Sequence, residues 1–473
     1  MSIEFKLYGY TGDPDAKARF DAESDKVKII TYLNEKKFLT FGTFGTDQCV
    51  MKLGTIHRDF HLQPYVNNKN CGEAFYKVNV ITGGIEGNPT SKQISKFFNE
   101  NNKEYVMNYG VSHASDEDPA KLKDQAYLYI SSTKKNWMKE LESLDPKINE
   151  LVLPGAHDAG MWKIDSKFLA EAISGLIPIV YFTTWLPVIG WIIATIGGVA
   201  TAYLPTILYN FAVTQKDRPY DLLRMGIRHF DFRPAKFISL LNQVVHVHGV
   251  IPGGSLEDFL NDVNKFLIEN PTEVVFIEIK ADGIDSKIAT FLSKIELERI
   301  AQQKISVGVQ VYEDDEIACL NTKRWNDLKS KGRAVFLYKP KTITSYNDQD
   351  YGASMTDPSH VEKAVVNFLP KINNSEFNLI QCQNTASNFF VDHWSSFVKH
   401  PSWVNDIALS DTGSLLADTK ALFDSVLYSR LSSVNTREQL KSHNGLVAVI
   451  NDFADIALVD LSIALTKTRL KPK

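Results

Sequence analysis

Glu150-Leu151-Val152-Leu153-Pro154-Gly155-Ala156-His157-Asp158 is an apolar run that breaks at a glycine and ends on two titratable side chains. Its apolar residues are consecutive, which is the pattern of a strand covered on both faces and so of a parallel sheet under helices. The same form recurs at Gly226–Pro234 (GIRHFDFRP), Val244–Gly249 (VVHVHG), Val274–Ala281 (VVFIEIKA), Arg333–Pro340 (RAVFLYKP), Phe377–Asn384 (FNLIQCQN) and Gly445–Phe453 (GLVAVINDF). Longer stretches with helical spacing, near 255–269 and 284–303, lie between them. Alternating strands and helices, with about eight strands, predict an α/β fold, a closed TIM-like (β/α)8 barrel over residues 136–473.

Upstream the texture differs. Residues 1–135 carry short alternating or aromatic-rich runs: KVKIITYL (26–33), KKFLTFGTFG (36–45), AFYKVNVI (74–81), EYVMNYGV (104–111) and AYLYISS (126–132). Gly, Asn, Asp and Pro punctuate them, which predicts an antiparallel β domain of sandwich type ahead of the barrel. No chemistry is legible there, and its protein partner is unknown.

The 473 residues balance 52 Lys+Arg against 56 Asp+Glu with no basic block, so the charge that phosphate-backbone binding needs is missing and nucleic acid is not expected as a partner. Cys49, Cys71, Cys319 and Cys382 form no CxxC pair, which argues against a zinc site and for free thiols. The first residues lack a basic segment followed by an apolar run, so no secretory signal is expected. Together these place the chain in a reducing, cytoplasmic compartment, where the sequon at Asn373 carries no meaning.

One segment breaks the pattern. Ala172 to Gln215 is an uncharged run of 44 residues, interrupted by Pro178, Pro187, Pro205, Gly190, Gly197 and Gly198. Candidate chemical residues lie on both sides of it within one barrel, so it cannot cross a bilayer an odd number of times, and two crossings need about 40 residues plus a turn. It reads as an apolar helical hairpin lying on one leaflet, with Trp185, Trp191 and Ile192 as membrane contacts and peripheral membrane association as the consequence. The alternative is an apolar helical cover packed on the barrel.

Three motifs carry the chemistry: Pro154-Gly155-Ala156-His157-Asp158-Ala159-Gly160, Gly226–Pro234 with Arg233, and Val247-His248-Gly249. Each puts a polar group at the C-terminal end of a predicted strand, the face on which α/β barrels assemble active sites. Two histidines around an arginine suit phosphoryl transfer. One imidazole takes a proton from a hydroxyl, the guanidinium neutralises charge on phosphate oxygens and the other imidazole protonates the leaving oxygen. That scheme requires no metal and no cofactor. Asp411-Thr412-Gly413-Ser414 occurs once, whereas aspartic proteases need two such aspartates. Gly253-Gly254-Ser255 lacks a following GxxxxGK[ST] and reads as a helix start. His229 and His246 read as structural residues of the barrel wall.

The three motifs, with Glu269–Ala281 (ENPTEVVFIEIKA), resemble the catalytic X-domain of phosphatidylinositol-specific phospholipase C in its bacterial form. The resemblance covers about 140–280 and leaves out residues 1–135 and the uncharged run. It implies that His157 is the base for the inositol 2-hydroxyl, His248 the acid for the diacylglycerol oxygen, Asp158 the support of His248, and Arg233 the phosphate ligand. It implies that Lys280 and Lys339 contact inositol hydroxyls, and that a late-strand carboxylate orients His157, with Asp452 the candidate and Asp455 the fallback. Metal-dependent relatives carry calcium ligands where this chain has Arg233 and Lys280, so the resemblance is to the metal-independent type. The acidic inositol contact of the family has no counterpart in Leu379–Asn384. The implied partners are phosphatidylinositol and a membrane surface. The alternatives are an inactive or weak inositol-lipid binder and a barrel phosphodiesterase for another phospholipid headgroup.

Overall fold

The structure, a computed structural model, describes residues 4–22, 39–45, 57–79, 85–86, 95–112, 125–168, 212–237, 243–248, 251–281, 284, 289–346, 358–383 and 415–470. Among the described residues, eight strands form the central sheet: β1 Val152–Ala156, β2 His229–Phe232, β3 Val275–Ile279, β4 Val309–Tyr312, β5 Ala334–Tyr338, β6 Thr342–Thr344, β7 Phe377–Gln381 and β8 Val447–Asn451. All neighbours are parallel, in the order β6-β7-β8-β1-β2-β3-β5-β4. Only Lys339-Pro340-Lys341 separates β5 from β6, a link that reaches at most about 14 Å. Strands near opposite ends of the sheet must therefore lie close, and the sheet curls into a TIM-like barrel. The Thr342 hydroxyl on β6 crosses the seam to donate to Glu278 Oε1 on β3 at 3.0 Å.

The barrel departs from the expected closed one in two ways. Among the described residues its sheet ends at β4 and β6, because β4 takes the outer side of β5. These two strands are short and only half-buried, so neither has the continuous apolar run by which the others are legible. The second departure concerns VVHVHG, which is not a barrel strand. Val244–His248 lies in a separate antiparallel sheet with Ile251–Ser255, Pro234–Phe237 and Ala289–Phe291. That sheet grows from the top of β2, since Arg233 alone separates Phe232 from Pro234. Helix α1, Leu256–Glu269, follows it, with Ser255 Oγ accepting from Asp258 N at 3.0 Å as the N-cap.

Two five-stranded sheets precede the barrel. One runs Leu39–Gly45, Glu4–Thr11, Gln125–Ser132, Lys103–Ser112, Ser95–Glu100; it departs from the all-antiparallel expectation because Glu4–Thr11 pairs in parallel with Gln125–Ser132. The other is antiparallel, built on Ala16–Ala22, His57–Val66 and Ala74–Asn79. The run at 26–33 lies outside the described residues. Tyr8, Tyr10, Tyr127 and Tyr129 continue the apolar cluster of the barrel's helices, which covers the sheet face that would otherwise meet water. Polar contacts pin the junction: Tyr10 OH to Asp460 at 2.9 Å, Tyr129 OH to Asp424 at 3.1 Å, and the Ile456 N–H to Asn108 Oδ1 at 2.8 Å.

Candidate active site

Period-two alternation decides which side chains enter the barrel. Leu153, Phe276, Leu337, Phe377, Leu379 and Ile450 share one parity and one apolar cluster. Phe230, Phe232, Ile277, Phe336 and Val449 have the other parity and pack with the helices. The first set is interior: the His229 and Phe377 rings are 5.2 Å apart, and a Cβ on Gly155 would lie 2.6 Å from Ile450 Cγ2. Following the interior parity to the C-terminal strand ends gives His157 after β1, Asp231 and Arg233 along and after β2, Glu278 and Lys280 along and after β3, Lys339 after β5, Gln381 on β7 and Asp452 after β8.

Most of these converge. Asp452 Oδ1 accepts from His157 Nδ1 at 2.8 Å, which leaves His157 Nε2 as the nitrogen able to take a proton. That Nε2 lies 3.5 Å from Asp158 Oδ2, and His248 Nε2 lies 3.5 Å from the same oxygen. The two imidazole nitrogens are thus no more than about 7 Å apart. Arg233 reaches Asp158 Oδ1 at 2.9 Å and Asp231 Oδ2 at 3.3 Å, and Lys280 Nζ bridges Asp231 at 3.5 Å and Glu278 at 3.2 Å. Asp158 sits at φ +41° and Phe453, beside Asp452, at φ +48°, a region non-glycine residues rarely occupy, so both turns hold strain where the charged groups meet.

His246 is not a wall residue as its sequence position suggests. Its Nδ1 accepts the Arg233 backbone N–H at 3.1 Å, so its Nε2 carries the hydrogen that faces Asp158 Oδ1 at 3.4 Å. It therefore positions both Arg233 and Asp158. The glycine at position 160 lets it approach, since a Cβ there would lie 2.0 Å from His246 Cβ. His229, 3.4 Å from Glu278 Oε2, lies deeper in the barrel. Asp455 is not at the site: it caps helix α2, Ile456–Arg469, and pairs with Lys420 at 2.6 Å. Lys339 is exposed, with its Nζ over the Phe291 ring at 4.6 Å, rather than among the charged groups. Trp185, Trp191 and Ile192 lie outside the described residues. No helix among the described residues is long and apolar enough to cross a membrane.

The charges divide the two imidazoles. Burial pulls His157 down, but the carboxylates of Asp158, Asp452 and Asp231 more than offset it and leave the group raised. His248 is pushed down to about 4, by burial first and then by Arg233 and His157 against the opposing Asp158. Burial alone would raise Asp158, yet Arg233, His157 and His248 hold it well below the ordinary carboxylate range. Asp231 is lowered in the same way, by Lys280 and Arg233 against burial. The result is a fixed anionic pair held by two cations, with a basic imidazole on one side and a neutral one on the other.

Sequence reasoning missed Asp231, Glu278, Thr214 and Gln215. The interior parity of β2 and β3 points to the first two. The other two close the uncharged run, where the lack of charge concealed them. The Gln215 amide donates to His157 O at 2.9 Å and to Asn451 O at 3.0 Å and accepts from Ala454 N at 3.0 Å.

No family model matches the chain, and no curated protein does. Among solved structures, the chain is similar to a point mutant of the phosphatidylinositol-specific phospholipase C from Staphylococcus aureus, 12% identical over 70% of this chain and 96% of that one at a TM-score of 0.42. The phosphatidylinositol-specific phospholipase C from Listeria monocytogenes is 16% identical over 70% of this chain and 98% of that one, at a TM-score of 0.39.

Proposed function

We propose that the protein is a phospholipase C that cleaves phosphatidylinositol to diacylglycerol and a cyclic inositol phosphate. The observation that carries the reading is the pair of imidazole Nε2 atoms, each 3.5 Å from one Asp158 oxygen, with Arg233 on that same carboxylate. His157, oriented by Asp452, accepts the proton of the inositol 2-hydroxyl as that oxygen attacks phosphorus. Arg233 holds the phosphate oxygens as negative charge develops, and His248 gives a proton to the diacylglycerol oxygen as it leaves. Lys280, on Asp231 and Glu278, faces the headgroup hydroxyls, and Lys339, over the Phe291 ring, takes no part. A related barrel phosphodiesterase for another headgroup is the second reading. It draws on the end of β7, where Gln381 and Gln383 hydrogen-bond each other at 2.7 Å and the segment Leu379–Asn384 carries no carboxylate.

The scheme runs without metal, because Arg233 on Asp158 Oδ1 and Asp231 Oδ2, with Lys280 also on Asp231 Oδ2, supplies the positive charge that a divalent cation would bring to the His157, Asp158 and Asp231 cluster. Turnover of phosphatidylinositol vesicles is therefore expected to be unchanged in EDTA, with cyclic inositol phosphate as product. Complete loss in EDTA, restored by calcium, removes Arg233 from its role. Product lacking the cyclic phosphate, or cleavage of a different headgroup only, favours the second reading. In the same assay, serine at Trp185, Trp191 and Ile192 tests membrane contact: vesicle binding equal to the parent's assigns the run to barrel cover.

The pH dependence follows from the two imidazoles. The reactive form has His157 neutral and His248 protonated, while the free enzyme holds His157 raised above the ordinary imidazole value of about 6.5 and His248 down at about 4. Below about 4, protonated His157 limits the rate, which climbs with pH. Between the two values the gain in neutral His157 cancels the loss of protonated His248, and above the His157 value the rate falls. A kcat/KM profile on a soluble short-chain substrate is thus expected to be flat on the acid side of neutrality and to fall about tenfold per pH unit beyond each edge. An optimum confined to alkaline pH overturns the pairing.

A further inference from the structure

Four buried residues, Ala212-Val213-Thr214-Gln215, touch every loop that carries the acid and base groups. The Ala212 carbonyl faces His248 Nδ1 at 3.4 Å, and since a carbonyl only accepts, it holds the hydrogen on Nδ1 and leaves Nε2 to face Asp158. Thr214 Oγ1 donates to Asp158 O at 3.1 Å, and Thr214 O accepts from the strained Phe453 N–H at 2.7 Å. Gln215 spans the gap between the β1 and β8 loops through His157 O, Asn451 O and Ala454 N, while its own N–H donates to Met161 O at 3.3 Å. The amide thus satisfies groups on both sides of the His157–Asp452 hydrogen bond, at the backbone of His157 itself and at the residues flanking Asp452.

We propose that Gln215 and Thr214 are positioning residues that set the His157–Asp452 pair. This segment over-determines two strained turns. Asp158 and Phe453 hold left-handed backbone that would relax if released, and the side chains that oppose relaxation come from one short segment that is remote in sequence from both loops. A buried amide making three hydrogen bonds to two loops fixes their separation far more stiffly than apolar packing does, because each bond is directional and its loss leaves a buried carbonyl or N–H unpaired.

The catalytic consequence rests on the proposed function, but the positioning does not, and two readouts separate them. The substitutions are Gln215→Met, which keeps the volume and loses all three side-chain hydrogen bonds, and Thr214→Val, which is nearly isosteric and loses only the hydroxyl that donates to Asp158 O and His157 O. Without substrate, the His157 imidazole is titrated by NMR. The Asp452 carboxylate helps to raise His157, so a loosened pair lowers the midpoint; an unchanged midpoint in both folded variants overturns the proposal whatever the enzyme acts on. With phosphatidylinositol, kcat is expected to fall about 10²-fold in Gln215→Met with KM little changed, since misplacing a reacting group by about 1 Å has that effect. In a cycle with Asp452→Asn the two losses should be strongly sub-additive, and full additivity overturns the proposal. Should Gln215→Met fail to fold, Thr214→Val alone carries both readouts. Absence of turnover in the parent, together with a lowered His157 midpoint, overturns the proposed function and leaves the positioning role standing.

Discussion

If the protein cleaves phosphatidylinositol as proposed, alanine at His157 is expected to lower that activity by about 10²–10⁴-fold, and alanine at His248 by a similar factor, the usual contribution of a placed general base or acid. The two losses should be distinguishable. A substrate whose leaving group is already a stable anion needs no proton from His248, so His248→Ala should recover most of its rate on it while His157→Ala should not. Equal damage on both substrates removes His248 from the acid role. Asp452→Asn should resemble a mild form of His157→Ala. An amide at 452 can offer the His157 Nδ1–H an acceptor but no charge, so the raised imidazole falls and the imidazolium formed in the reaction loses its partner. All of these substitutions sit at the rim of the barrel, outside the apolar cluster that fills it, and circular dichroism is expected to be unchanged.

The second large effect is on stability. Arg228 and Glu273 are fully buried, with guanidinium-to-carboxylate distances of 2.6 and 3.0 Å. The guanidinium also donates to Leu223 O, Ile227 O and Lys135 O and lies 4.7 Å from the Phe266 ring centre. It ties the start of β2 to helix α1 and to the segment entering the barrel. Glu273→Gln leaves a buried cation without its anion, and breaking such a pair costs about 3–5 kcal/mol, against a total stability of about 5–15 kcal/mol for a folded domain. The urea midpoint should drop steeply. Replacing both partners, Arg228→Met with Glu273→Leu, should recover much of the loss, because two apolar side chains need no compensation. A drop below about 1 kcal/mol in Glu273→Gln would mean that water reaches the pair.

The legible part of the fold is the part buried on both faces. Strands β1, β2, β3, β5, β7 and β8 are buried on both faces, so each reads as a mainly apolar run, broken only where His229, Asp231, Glu278, Asn378, Gln381 and Asn451 are themselves buried. Strands β4 and β6 are half-buried at the ends of the sheet, and their sequences, VQVY and TIT, are too short and mixed to stand out. Val244–His248 shows the converse error. Its run is as apolar as a barrel strand, but the direction of its partner is set by the hairpin with Ile251–Ser255, and nothing within the run reports that. The site divides in the same way. His157, Arg233 and His248 are legible because strand ends carry them in a recognisable order, whereas His246 reads as a wall residue until its two ring nitrogens are seen on Arg233 and Asp158.

The order of residues by itself determined the α/β class and the barrel strands with long apolar runs, and it brought forward His157, Arg233 and His248 as the candidates for moving a proton or holding a phosphate. It did so because these depend on local pattern and on side-chain chemistry, both of which a linear sequence carries. Only the tertiary structure decided that the sheet ends at β4 and β6, that His248 enters from an antiparallel flap above β2, that Lys339 points to Phe291, and that Asp452 rather than Asp455 meets His157. It also decided the protonation bias of the two imidazoles. That bias comes from how many carboxylates lie within a few ångströms of each ring and how much water is excluded, and Asp158, Asp231 and Asp452 reach those places from three different strand ends.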